Sequence, residues 1–506
     1  MATSALAALR EALGEVCDLS HSAAVLSWDQ ETYMPSGGVA IRARQLSTLR
    51  RLAHDRLCSD ELGRLLEGAE AEVAGWAFDS DEASLVRVVH RDRKLALRVP
   101  GELVAEIARE GALSRPVWLE ARARSDWRLF APRMQVTVDL SRRLADAYGY
   151  EARPYDALLG RSEPGLTTAE VEALFGELRA AVQDLLTRIA ANSDRVDDSV
   201  LERELDPQRQ LEFARDTIAG LGFDLDRGRQ DLSAHPFCTA FGPGDVRLTT
   251  RVGPRLRDSC LFSSIHESGH GMYNQGLPAR LDGTPLWAGA SPGVHESQSR
   301  LWENLVGRSR PFWSYAFPRL QAEFPGALDG VDAEAFYRAV CRVRPSYIRV
   351  DADEVTYNLH IMLRFEIENA LLEDRLRVDE VPEAWNAALA RDLGLPPPRE
   401  ADGALQDIHW TSPVLGGFVG YTLGNVIGAQ LMNSIRAEMP DLDGQLAAGE
   451  FFPLLGWLQR RVYVHGRKFT PGELVERVTG RPLTAAPWID YVRAKFGDLY
   501  GLPEQT

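Results

Sequence analysis

Apolar residues recur at helical spacing along most of the chain. Ala5, Leu6, Leu9, Leu13 and Val16 share one helical face, as do Val86, Val89, Leu95 and Leu97. Start signals punctuate the pattern. Thr167-Thr-Ala-Glu170 offers a capping box ahead of Val171 and Leu174. Thr470-Pro-Gly-Glu473 offers another, with proline at the first helical position. Asp332 before Ala333 to Phe336 marks a further start.

One stretch breaks the helical period. His235 to Phe241 and Val246 to Val252 are β-prone runs on either side of Gly242-Pro-Gly-Asp245, which predicts a hairpin near 235–252. There is no internal repeat, low-complexity tract or long polar linker, and Leu395-Pro-Pro-Pro398 reads as a short surface connector. The pattern predicts one continuous, mainly α domain over 1–506 with a small antiparallel sheet.

Composition narrows the partners. With 57 basic and 73 acidic side chains the 506-residue chain carries a formal charge of -16, the wrong sign for binding a nucleic-acid backbone. No run approaches the ~20 apolar residues of a membrane span, and charge at Arg10 and Glu11 arrives too early for a secretory leader. Cys17, Cys58, Cys238, Cys260 and Cys341 are odd in number, scattered, and read as reduced thiols. The expectation is a cytoplasmic protein without membrane or nucleic-acid partners.

The chemistry concentrates at His266-Glu267-Ser268-Gly269-His270. Four residues apart on a helix, His266 and His270 share a face and can hold one metal ion. Glu267 projects about 100° away and can serve as general base to water that the metal acidifies. A lone motif of this kind also arises by chance, and Ser264-x-x-Glu267 is itself a capping-box pattern. Leu261, Phe262 and Ile265 argue that the helix begins earlier. A third ligand is available in Ser291-Pro-Gly-Val-His295-Glu296, where a Pro-Gly turn enters a helix and Glu296 lies 26 residues after His270. Adjacent on a helix, only one of His295 and Glu296 can face the metal, and Glu296 reads equally as a first-turn acid favoured by the helix dipole. Asn274 can orient a ligand histidine or cap the helix near Gly276.

Six motifs in order then resemble the carboxypeptidase Taq family of metallocarboxypeptidases, over almost the whole chain. They are His235-Pro-Phe237, Asp245-Val-Arg247-Leu-Thr249, the 266–270 motif, His295-Glu-Ser-Gln298, Ile348-Arg349-Val-Asp-Ala-Asp353 and Gly403-Ala-Leu-Gln406-Asp-Ile-His409-Trp410. Trp28 to Pro35 and His465-Gly-Arg-Lys468 are also similar to it. The resemblance implies a two-lobed helical protein with a deep active-site groove, and a homodimer. It implies His266, His270 and Glu296 as ligands of one divalent ion, zinc by default for that donor set with cobalt compatible. Glu267 would be the base, and His409 and Tyr421 donors to the tetrahedral oxyanion. Arg349 would clamp the substrate's terminal carboxylate through its planar fork. His235, Arg247 and Gln406 would lie on the substrate side, where a strand edge can hold extended peptide.

Each role has a plainer reading beside it. Arg349 can pair with Asp351 or Asp353, His409 can be a satisfied histidine beside Trp410, and Tyr421 a core aromatic. Arg247 and Asp245 can pair across the hairpin, the reading favoured here. Ser268 stands where the family more often has a small residue without a hydroxyl, and Arg251 to Arg257 is unusually basic. These departures bear on substrate preference. The implied reaction is release of single C-terminal amino acids from peptides; the rival is an endopeptidase or dipeptidase with the same ligands, and of these an endopeptidase needs no carboxylate clamp.

Overall fold

The computed structural model describes residues 4–503. It is 69% helical, with 20 α-helices and three strands among the described residues. The helices begin where local chemistry starts them. Thr167 caps Thr168–Ala190 and Thr470 caps Pro471–Thr479, each through both halves of a capping box. Asp332 accepts the backbone N–H of Ala335 at 2.8 Å to open Ala333–Val340. Such a cap is worth about 1 kcal/mol.

The sheet is mixed, not the antiparallel pair that the pattern predicts. Strands β1 (Gly228–Leu232), β2 (Cys238–Gly242) and β3 (Asp245–Thr250) lie in the order β1-β3-β2. β2 pairs antiparallel with β3 as a hairpin with a bulge between Ala240 and Gly242, whereas β1 pairs parallel with β3. β1 reads Gly-Arg-Gln-Asp-Leu, with no β-branched or aromatic residue and no alternation to announce it. The motif His235-Pro-Phe237 precedes β2 instead of lying within it, though Phe237 still exchanges backbone and side-chain hydrogen bonds with Thr249.

The chain divides into two compact units. The first comprises the chain to Leu97 with Asp198–Val340 and Ile427–Leu483. It contains the sheet and the helix Leu261–Gly276, whose buried Ile265 and Met272 fix which face turns inward. The second comprises Arg98–Asp197, Cys341–Val426 and the chain from Thr484 onward. Its axis is Tyr357–Leu372, buried on all sides along nearly its whole length, polar residues included. The charges this helix takes inside are paired: Nε of Arg364 lies 2.8 Å from Glu368 one turn on. No described helix is long and apolar enough to cross a membrane, and none of the five cysteines forms a disulfide among the described residues.

Candidate functional site

Helix Leu261–Gly276 begins at Leu261 with no side-chain cap. Glu267 is therefore mid-helix and not a capping residue; Ser264 instead accepts from Gln230 of β1 at 2.7 Å. The rings of His266 and His270 stand 5.0 Å apart between centroids. A second helix, Pro292–Arg300, opens on Ser291, which accepts from the Val294 N–H, and carries proline at its first position. Glu296 falls in its second turn, past the first-turn site where a dipole role applies. Gly269 permits the approach of the two helices: a Cβ there would lie 2.6 Å from the Ser299 Cα and 2.7 Å from the Gln298 carbonyl.

This contact brings His266, His270 and Glu296 together, with donor atoms all within 4.8 Å of one another. Oε2 of Glu296 lies 3.8 Å from His266 Nε2 and 3.5 Å from His270 Nε2. Ligands at ~2.0–2.2 Å around a tetrahedral ion are separated by about 3.3 Å, so two nitrogens and one carboxylate oxygen at these spacings fit a divalent metal with little movement. His295 does not join them. Its Nδ1 meets His270 Nδ1 at 2.6 Å and its Nε2 meets the Asn274 Oδ1 at 3.2 Å.

One member of the cluster escaped the sequence reading. Helix Pro292–Arg300 continues as a π-helical turn, Leu301–Val306, a widening frequent at functional sites. It carries Glu303, whose Oε2 lies 2.9 Å from His266 Nδ1. Arg300 spans both carboxylates, with Nε 2.7 Å from Glu296 Oε1 and Nη1 3.3 Å from Glu303 Oε2. Nη2 of Arg308 lies 3.3 Å from the other Glu303 oxygen.

The electrostatics follow from this packing. Burial alone would raise the Glu296 carboxyl, but Arg300 and the two imidazoles outweigh it and hold it far below the usual range. Burial and Arg300 act in the same opposed way on Glu303, with His266 adding to the arginine, and bring it down to about 2. At Glu267 burial dominates the opposing pull of His266 and His270 and raises the carboxyl, the direction a general base needs. Burial, with His270 beside it, pushes His295 down to about 3. Cys238 of β2 takes a weak hydrogen bond from Asn274 Nδ2 at 3.7 Å, and burial followed by the nearby Glu267 raises its thiol.

A second constellation forms inside the other unit. Arg349 is buried in a 3₁₀ turn, Arg349–Asp351. Its partner is neither Asp351 nor Asp353 but Asp407: Nε to Oδ2 is 3.1 Å. Asp353 instead accepts backbone N–H groups of Arg344, Val355 and Thr356. Nη1 of Arg349 donates to the Tyr357 hydroxyl at 3.2 Å. Oδ1 of Asp407 sits 2.6 Å from His409 Nδ1, and His409 Nε2 sits 3.1 Å from the Tyr421 hydroxyl. Asp407, His409 and Tyr421 thus form a chain. Burial would raise the Asp407 carboxyl, but Arg349, His409 and Arg364 hold it well below its ordinary value.

The remaining predicted residues are engaged with the chain itself. Gln406 accepts the Arg349 backbone N–H at 2.7 Å and donates to the Tyr347 and Asp402 carbonyls, so its amide braces the Arg349 turn. Arg247 pairs with Asp245 through two 2.8 Å contacts. The two residues lie on the same strand, β3, two apart on one face, and not across the hairpin. Its guanidinium also covers Trp28 at 4.3 Å and Phe241 at 5.0 Å. His235 is exposed, with Nδ1 2.8 Å from the Pro236 carbonyl.

Paired helical histidines, an acid between them and a carboxylate from a following helix define the class: a helical metallopeptidase. The chain belongs to the carboxypeptidase Taq (M32) metallopeptidase family, whose model matches residues 8–496; it is a metallocarboxypeptidase. It is 41% identical over 496 residues to thermostable carboxypeptidase 1 of Thermus thermophilus, covering 96% of this chain and 97% of that protein. It is 33% identical over 488 residues to carboxypeptidase 1 of Bacillus subtilis, covering 96% and 97% respectively. The fold matches the crystal structure of an M32 carboxypeptidase from Deinococcus radiodurans with a TM-score of 0.94 at 43% identity, over 99% of this chain and 100% of that one.

Proposed function

We propose that the protein removes single amino acids from the free C-terminus of peptides, using His266, His270 and Glu296 to hold one divalent ion per chain. The convergence of those three donors within 4.8 Å is the observation that carries this reading. Zinc is the ion that two imidazoles and a carboxylate favour, and cobalt takes the same ligands. Bound there, the ion would polarise the scissile carbonyl and acidify water.

The chain's own residues supply the rest. Glu267, its carboxyl raised by burial, accepts the proton of the attacking water and delivers it to the leaving amine. His409 donates to the developing oxyanion from Nε2 in its imidazolium form, the Nδ1 proton being taken by Asp407, and Tyr421 donates from its hydroxyl. Arg349 is the group proposed to bind the terminal carboxylate. Its engagement with Asp407 is compatible with this, because the pair fixes the plane of the guanidinium. Gln406 positions Arg349 and touches no substrate in this reading, and Arg247 stiffens β3 against Trp28. The edge of β2, with His235 beside it, holds extended peptide.

The same reading takes 1–506 as one catalytic domain and carries over from the family resemblance a homodimer. A cytoplasmic setting belongs to the same reading, since five scattered cysteines suit a reducing compartment.

The decisive experiment offers metal-loaded protein matched peptides with free and amidated C-termini and identifies the products, with Glu267→Gln as control. Release of the last residue from the free peptide alone, abolished by Glu267→Gln, is expected. Equal cleavage of the amidated peptide would favour the endopeptidase reading instead.

A further inference from the structure

Each ligand histidine has two ring nitrogens, and only one can face an ion. A neutral imidazole carries its proton on the other, so whatever accepts that proton chooses the metal-facing atom. The two histidines meet unlike acceptors. A carboxylate can only accept, so the Glu303 Oε2 at 2.9 Å places the proton of His266 on Nδ1 and leaves Nε2 towards Glu296. Glu303 is itself held by Arg300 and Arg308.

His270 is set by a neutral relay. Asn274 Nδ2 donates to the Cys238 sulfur, which turns Oδ1 towards His295 Nε2. That oxygen takes the His295 proton, leaving His295 Nδ1 bare. Nδ1 of His270 donates to it across 2.6 Å, and His270 Nε2 is left facing Glu296 at 3.5 Å. The third ligand is fixed likewise. Arg300 Nε occupies Glu296 Oε1 at 2.7 Å, so Oε2 alone faces the two imidazoles.

We propose that Glu303 and the His295–Asn274 relay are positioning residues that fix Nε2 of His266 and of His270 as the metal-facing atoms, with the anionic partner contributing more affinity than the neutral one. This rests on the ligand set proposed above. An acceptor with full negative charge strengthens the donor character of the opposite ring nitrogen; a neutral imidazole acceptor does so less.

The test is metal affinity, measured by titrating metal-free full-length protein with Zn²⁺ against a chromophoric chelator, and the visible absorption of the Co²⁺ form. Glu303→Gln keeps an acceptor oxygen and removes the charge; His295→Ala removes the relay, and His295→Gln restores an acceptor. Glu303→Gln is expected to weaken binding about 10- to 100-fold and to shift the Co²⁺ bands. His295→Ala is expected to weaken it less, with partial recovery in His295→Gln. The melting temperature of each metal-free variant separates this from misfolding; if His295→Ala does not fold, the comparison of His295→Gln with Asn274→Ala replaces it.

Unchanged Zn²⁺ affinity in Glu303→Gln and His295→Ala overturns the proposal while leaving the ligand set standing. A larger loss in His295→Ala than in Glu303→Gln overturns the proposed ranking. Stoichiometric metal retained in Glu296→Ala with undiminished affinity overturns the ligand set, and the proposal with it.

Discussion

Nε of Arg349 stands 3.1 Å from Oδ2 of Asp407, with both side chains buried. The pair belongs to a balanced set: Nη1 of Arg364 lies 3.6 Å from the same oxygen, and Arg364 also binds Glu368. Two buried cations meet two buried anions. Asp407→Asn removes one anion and leaves the cations undercompensated, a change that costs about 3–5 kcal/mol when a buried pair is broken. Denaturant unfolding at neutral pH measures this, and stability equal to the parent would contradict it.

Arg349→Lys keeps the charge and loses the planar fork. An ammonium has no planar fork to hold Asp407 along one edge and present two parallel N–H groups to a second carboxylate. The expected result is a rise of at least about 10-fold in KM for free peptides, the order of a lost charge-assisted hydrogen bond. An unchanged KM would remove Arg349 from the substrate side.

His409 and Tyr421 act in the transition state in this reading, so their loss should lower kcat more than it raises KM. His409→Ala is expected to cost about 10²–10³ in kcat, the range for one oxyanion donor. Tyr421→Phe should cost less, since His409 remains steadied by Asp407. A pure KM effect for both would place them elsewhere in the reaction.

Gly269 carries no functional group, yet it should be among the least tolerant positions. The atoms a Cβ would meet at 2.6–2.7 Å are backbone, which cannot swing aside. Gly269→Ala is expected to cost about 1–3 kcal/mol as overpacking, and to weaken metal binding with every ligand intact. Normal stability together with normal metal affinity would show that the helices do not dock as described.

Stability should fall in mild acid through His360. Burial, with Arg349 adding to it, pushes this imidazole down to about 3. The unfolded chain takes up the proton near pH 6.5 and the folded chain does not. The contribution is therefore fully present above pH 6.5 and is lost as pH falls towards 3, by about 2 kcal/mol at pH 5. Urea midpoints at pH 7 and pH 5 test it; a slope identical in His360→Gln would assign the loss to other groups.

What could be read from the chain depended on how local the signal was. The motif helix, its two histidines and the capped start before Glu296 are encoded within a few residues each. Glu303 was hidden because the π-helical turn changes the phase in which residues return to one face. Asp407 stood two residues from His409 in plain view, but its partner Arg349 lies 58 positions away, a distance that no periodicity spans. β1 was missed because a strand held by backbone pairing to β3 needs no apolar alternation of its own. The contact of His295 with His270 required knowing how two helices cross.

Backbone contact at Gly269 has one further consequence. Where ligands sit on separate flexible segments, an arriving ion must first arrest those segments, and the entropy so lost is subtracted from its affinity. Here the spacing of His266, His270 and Glu296 is set by two helices docked backbone to backbone at Gly269. A missing side chain thus couples the three ligands through rigid backbone, and an ion held by them would spend little of its binding energy on holding the two helices together.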